Sequence, residues 1–122
     1  MKRALLVEDE GVVALLIESM LGELGYQVLG PVPRLSKAVK VAQDEAFDIA
    51  ILDVNLNGLS SFPIANVLAD KNIPYLFATG YGRRGIPAEL SDTVVLQKPF
   101  RTKQLAKAID DAIAANENDT RI

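Results

Sequence analysis

The sequence predicts an α/β fold: one doubly wound, five-stranded parallel sheet with helices on both faces. Two observations carry the prediction. Short apolar runs alternate with amphipathic stretches along the whole chain, the order expected of strand–helix–strand units. The runs are continuously apolar rather than alternating, as strands covered on both faces must be. Right-handed crossovers then leave few ways to order the sheet. At 122 residues the chain is one domain of ordinary size, long enough to bury a core.

Ala4 to Val7 form the first strand, ended by Glu8 and Asp9. Val13, Leu16, Ile17, Met20, Leu21 and Leu24 recur at helical spacing, and Gly25 closes that helix as a left-handed cap. Gln27 to Val32 make a second strand, stopped by Pro31 and Pro33. Leu35, Ala38, Val39 and Ala42 mark a second amphipathic helix. Ile49 to Leu52 are the third and most apolar strand, with Asp53 where the run stops and Asn55, Asn57 and Gly58 in the turn beyond. A third helix spans Ser61 to about Asp70, capped by Ser60 or Ser61, with Pro63 tolerated in its first turn. Ile73 to Thr79 give a fourth strand. The stretch "GYGRRGIPAELSD" leaves room for only a short helix. Val94 to Leu96 form the fifth strand, and a last helix starts near Thr102. Residues 1–116 are expected to form the domain, and 117–122 a polar tail that frays.

Composition removes several function classes. The hydrophobic fraction is 49%, the charged fraction 24% and the net charge -3. A mildly acidic chain with scattered Lys and Arg is a poor candidate for nucleic-acid binding. The chain has no cysteine and no histidine, which excludes disulfides, thiol or imidazole metal ligands and histidine-based triads. The N-terminal apolar run is too short for a secretion signal, and no segment is long enough to span a membrane. A cytoplasmic protein is the default expectation.

Open parallel sheets collect their chemistry outside the carboxyl ends of the strands. Glu8 and Asp9 follow the first strand, Asp53 ends the third, Thr79 ends the fourth and precedes Gly80, and Lys98 with Pro99 follows the fifth. Each has an ordinary explanation. Asp9 could cap a helix, Asp53 could belong to an Asx-rich turn, Thr79 is a normal strand residue, and lysines are usually solvated. Their joint occurrence at the ends of four strands is not explained that way. Two carboxylates about 4 Å apart repel by roughly 4 kcal/mol at an effective dielectric of about 20, so three need compensation beyond one lysine. A hard divalent cation with oxygen ligands, Mg²⁺ above all, fits that need and leaves positions for phosphate oxygens. With it, Asp53 can act as a nucleophile toward phosphorus, and cation, lysine and hydroxyl can stabilise the phosphoryl oxygens.

At this point the sequence resembles the receiver domain of two-component response regulators. "LLVEDE", "ILDVNLNG", "FATG" and "QKPF" carry the resemblance, in that order, over about Lys2 to Asn116. "FATGYG" further resembles the FATGUY subgroup, common in alphaproteobacteria as stand-alone regulators or joined to stress-signalling kinases. The resemblance implies the flavodoxin-like strand order 2-1-3-4-5 and a short or degenerate fourth helix. It implies that Asp53 accepts the phosphoryl group, and that Asp9 directly and Glu8 through water bind Mg²⁺. The backbone carbonyl of Asn55 would complete the metal site. Thr79 would be the switch hydroxyl, Lys98 the phosphate-binding lysine, and Lys98–Pro99 a cis peptide.

One departure stands out. Most receivers carry Tyr or Phe three residues before the lysine, where this chain has Val95. The usual aromatic switch is therefore absent, and Tyr81, beside Gly80 in the flexible loop after Thr79, is the substitute to consider; packing on the short fourth helix is its ordinary alternative. The expected function is that of a stand-alone regulator. It takes a phosphoryl group from a sensor histidine kinase or histidine phosphotransfer protein and later hydrolyses its own acyl phosphate. Output goes by protein contact to a downstream effector, with no nucleic acid and no membrane involved. Competing readings are a phosphate sink, a receiver cut from a hybrid kinase and an unphosphorylated pseudo-receiver. An aspartyl-nucleophile phosphohydrolase is disfavoured, because such enzymes want an aspartate where Asn55 stands.

Overall fold

The computed structural model describes residues 2–120 of the 122-residue chain. Seven strands and four helices follow in order: β1 Lys2–Val7, α1 Gly11–Glu23, β2 Tyr26–Val32, α2 Leu35–Asp44, β3 Ile49–Asp53, β4 Asn55–Leu56, β5 Leu59–Ser60, α3 Phe62–Asp70, β6 Tyr75–Thr79, β7 Val94–Gln97 and α4 Thr102–Thr120. The main sheet has the order β2-β1-β3-β6-β7 and every pairing in it is parallel. The expected five-strand order is therefore borne out, with β6 and β7 as its fourth and fifth strands.

Strand parity divides the core. Leu5, Val7, Ala50, Leu52 and Phe77 point to one face, where they meet Ala38 and Ala42 of α2 and Ile64, Ala65 and Leu68 of α3. Ala4, Leu6, Ile49, Ile51, Leu76 and Ala78 point to the other, against Ile17 and Leu21 of α1 and Leu105, Ala108 and Ile109 of α4. All five residues of β3 are buried, which is why its sequence shows no polar alternation. Phe77 anchors the first face through edge contacts with Phe62 and Tyr75, with ring centroids 5.5 and 5.8 Å apart.

Three features differ from expectation. Helix α1 is apolar nearly all round, and Leu16, expected in the core, is exposed together with Val12 and Leu15. Residues 55–60 form an antiparallel hairpin rather than a simple turn. Its signal was the Asn57-Gly58 pair, whose φ values of 52° and 86° are what such a tight turn requires. The fourth helix, expected to be short or degenerate, is one 3-10 turn, Ala88–Leu90. Finally, α4 continues through Thr120, so Glu117 to Thr120 of the expected tail are helical; Arg121 and Ile122 lie outside the described residues. Among the described residues, no helix is long and apolar enough to cross a membrane.

Gly30 has a specific job in β2. Its φ is +109°, and a Cβ there would sit 2.7 Å from the Leu6 carbonyl and 2.8 Å from the Val32 nitrogen. Gly30→Ala is expected to destabilise the fold by about 2 kcal/mol or more, measured by urea unfolding. An unchanged midpoint would show that β1 and β2 can part without cost.

Candidate functional site

The sheet delivers the polar residues to one rim. Val7 pairs with Leu52, Asp53 with Ala78, and Thr79 with Gln97. The residues that follow or end these strands, Glu8, Asp9, Asp53, Thr79 and Lys98, are therefore neighbours in space. Lys98 is held in line by its backbone N–H, which donates to the Thr79 carbonyl at 2.8 Å. The Lys98–Pro99 peptide is cis, as is Gly30–Pro31.

Three carboxylates meet here. Glu8, Asp9 and Asp53 each place an oxygen within 4.8 Å of the others. Glu8 is 2% exposed and Asp53 8%, so neither can rely on water for its charge. Lys98 Nζ lies 2.6 Å from Glu8 Oε1 and 3.6 Å from Asp53 Oδ1. Lys98 thus reaches two of the three clustered carboxylates, and the imbalance falls on Asp53. Burial first, then the contact with Glu8, push its carboxyl up to about 7, although Lys98 pulls the other way. An all-oxygen donor set, half-buried and short of positive charge, fits a hard divalent cation.

The flanking residues have defined partners. Asp9 does not cap α1: the cap position is Glu10, without a side-chain hydrogen bond. Instead Asp9 Oδ2 accepts from the Asn57 backbone N–H at 2.9 Å, tying the first strand end to the β4–β5 hairpin. Asn55 turns its side chain back into that hairpin, where Oδ1 accepts from the Gly58 N–H at 2.7 Å. Its side-chain oxygen is thereby engaged within the hairpin. The Thr79 hydroxyl is buried and accepts from the Tyr81 N–H at 3.1 Å.

An open cavity of about 670 Å³ covers the rim, lined by Asp9, Asp53, Thr79, Tyr81, Arg84 and Lys98 among others. Tyr81 is 73% exposed, so it edges this cavity rather than packing on the 3-10 turn. Val95 packs, half-buried, against the core face of α2 and α3 together with Ile86 and Leu90 of the loop. Arg84 was not among the expected site residues. It lies in an aperiodic loop, and only the path of the backbone brings it to the rim.

Comparison with known proteins agrees with this geometry. A family model described as the response regulator receiver domain matches residues 4–110. The transcriptional regulatory protein PdtaR of Mycobacterium tuberculosis is 29% identical over 117 residues, covering 93% of this chain and 57% of that protein. The solution structure of SdrG from Sphingomonas melonis Fr1 is 38% identical with a TM-score of 0.84, covering 93% of this chain and 97% of that one. The receiver domain of sensor histidine kinase PA1611 from Pseudomonas aeruginosa, crystallised with magnesium in its active-site cleft, is 25% identical with a TM-score of 0.76 over 93% and 98% of the two chains. The chain spans about half the length of the curated relatives it matches.

Proposed function

Because the chain belongs to the response regulator receiver domain family of two-component signalling, we propose that Asp53 is its phosphoryl acceptor and that Mg²⁺ bound by Glu8, Asp9, Asp53 and the Asn55 carbonyl supports the transfer. The single observation behind this reading is the buried, under-compensated carboxylate cluster with Lys98 at its edge. A carboxylate oxygen of Asp53 attacks the phosphorus of a phosphohistidine on a sensor kinase or phosphotransfer protein. The P–N bond breaks, its electron pair returns to the imidazole, and an aspartyl phosphate forms. Later, water attacks the phosphorus, and Asp53 leaves as carboxylate. When bound, the cation neutralises charge on the phosphoryl oxygens. Lys98 meets the same oxygens from the end of the edge strand β7, and Thr79 offers them its hydroxyl.

The donor is a protein, on this reading, and α1 is suited to receive it. Val12 (74% exposed), Leu15 and Leu16 form an apolar face on the helix that starts beside the site, and an exposed apolar patch commonly marks protein contact. A cytoplasmic receiver signalling by protein contact, without nucleic acid or membrane, is consistent with the mildly acidic composition. The test is incubation with acetyl phosphate or a phosphorylated kinase. One phosphate per chain, dependent on Mg²⁺ and labile to hydroxylamine, is expected. No incorporation from either donor would favour an unphosphorylated docking module.

Output follows from the Thr79 hydrogen bond. The Thr79 oxygen accepts from the Tyr81 N–H, so a turn of that side chain toward a phosphoryl group moves the atom to which the loop is bonded. With Val95 in place of an aromatic, the loop beyond Thr79 is the route for the signal. Phosphorylation is expected to alter amide exchange over residues 80–90 more than in the sheet or α1, and Thr79→Ala is expected to remove that difference while still permitting phosphorylation. Equal changes in wild type and Thr79→Ala would reject the route.

A further inference from the structure

We propose that Arg84 is a second phosphoryl-binding cation, meeting the group on Asp53 from the loop side of the cavity while Lys98 meets it from the sheet. The inference rests on Asp53 being the phosphoryl acceptor. Arg84 follows Arg83 in the turn between Gly82 and Gly85, whose φ values are 60° and 81°, and the two arginines have different fates. Arg83 is committed to the fold: its guanidinium donates to the carbonyls of Ser91 and Thr93 at 2.9 and 3.2 Å, pinning the loop to the start of β7. Arg84 lines the cavity together with Asp53, Thr79 and Lys98. Among the described residues, its guanidinium has no hydrogen-bond or ion-pair partner.

Charge explains what it is there for. Three carboxylates against one ammonium leave two negative charges at the rim, which a divalent cation cancels. Turning the Asp53 carboxylate into an acyl phosphate dianion adds a further negative charge. The metal-loaded, phosphorylated cluster is therefore short of positive charge, the exposed Glu10 on the same cavity wall adds to the deficit, and Arg84 opposes it. Guanidinium suits the task, because its planar donors match the spacing of phosphoryl oxygens. In the unphosphorylated state the same charge repels the incoming cation. Arg84 thus acts on the two ligands with opposite sign, which a purely structural residue would not.

The test is calorimetric titration of the full chain with Mg²⁺ alone and then with beryllium fluoride, a phosphoryl mimic, at saturating Mg²⁺. Arg84→Ala and Arg84→Gln are expected to weaken beryllium fluoride binding about three- to tenfold, with Mg²⁺ affinity unchanged or higher. Arg84→Lys is expected to recover part of the loss. Unchanged beryllium fluoride affinity in Arg84→Ala and Arg84→Gln would overturn the proposal. So would parallel weakening of both ligands, which would assign Arg84 to loop structure. If wild type fails to bind beryllium fluoride, or Asp53→Asn binds it equally well, the assignment of Asp53 fails and takes the proposal for Arg84 with it; only the first two outcomes reject Arg84 alone.

Discussion

Asp53→Asn is expected to reduce phosphoryl acceptance by a factor of about a thousand or more, through loss of the attacking oxygen, while making the metal-free protein more stable. The two effects come from one cause. The carboxylate is 8% exposed and shares its surroundings with Glu8 and Asp9, so it is costly to ionise until a cation or a phosphoryl group arrives. The sign of the pH dependence follows. Unfolded, Asp53 titrates near 3.8, and folded near 7. The folded chain binds that proton more tightly, so the stability it confers is complete below about pH 4 and is lost as pH rises to 7 and beyond. Asparagine has no proton to lose. The variant's advantage should be on the order of a few kcal/mol above pH 7 and should vanish below pH 4. Thermal unfolding in chelator across that range measures it. A gap independent of pH would place the stabilisation elsewhere than in Asp53 ionisation. Adding Mg²⁺ should stabilise wild type more than the variant.

Lys98→Ala is expected to act in the opposite direction on stability. Its Nζ is the cation 2.6 Å from Glu8 Oε1, and Glu8 is 2% exposed. Removing it strands a buried carboxylate, a loss of about 3 kcal/mol where one partner of a buried pair is deleted. Mg²⁺ should restore part of that loss, since it offers the carboxylates another counter-charge. Phosphoryl acceptance should fall about a hundredfold or more, as when one preorganised donor to a developing charge is lost. The pattern to check is stability down, rescue by Mg²⁺, and acceptance still low at saturating Mg²⁺. A stable Lys98→Ala protein would mean that Glu8 finds another partner.

The parts of this molecule that were legible in the sequence are those set by strong local contrast. β3 announces itself because five consecutive residues are buried, and the polar residue that ends such a run has nowhere to go but the rim. The same logic brings Glu8, Asp9, Thr79 and Lys98 to that rim. Other features carry little local contrast. Helix α1 is so apolar that periodicity could not distinguish Leu16, which is exposed, from Ile17, which is buried. The loop from Gly80 to Asp92 has no period at all, so Arg84 could not be told from Arg83, although one lines the cavity and the other clasps the backbone of residues 91 and 93. The Asn57-Gly58 pair carries a hairpin signal; the contact of its Asn57 N–H with Asp9 carries none, because it joins elements that only the folded sheet brings together.

The most direct measurement locates the phosphoryl group itself. The protein is phosphorylated in Mg²⁺, the acyl phosphate is trapped by borohydride reduction, and the reduced residue is mapped by mass spectrometry. The result expected is homoserine at position 53 and at no other aspartate, with none formed when Mg²⁺ is chelated. Reduction at Asp9 or at a surface aspartate, or at position 53 without Mg²⁺, would contradict a site in which the buried Asp53 is the acceptor and its acidic neighbours hold the cation.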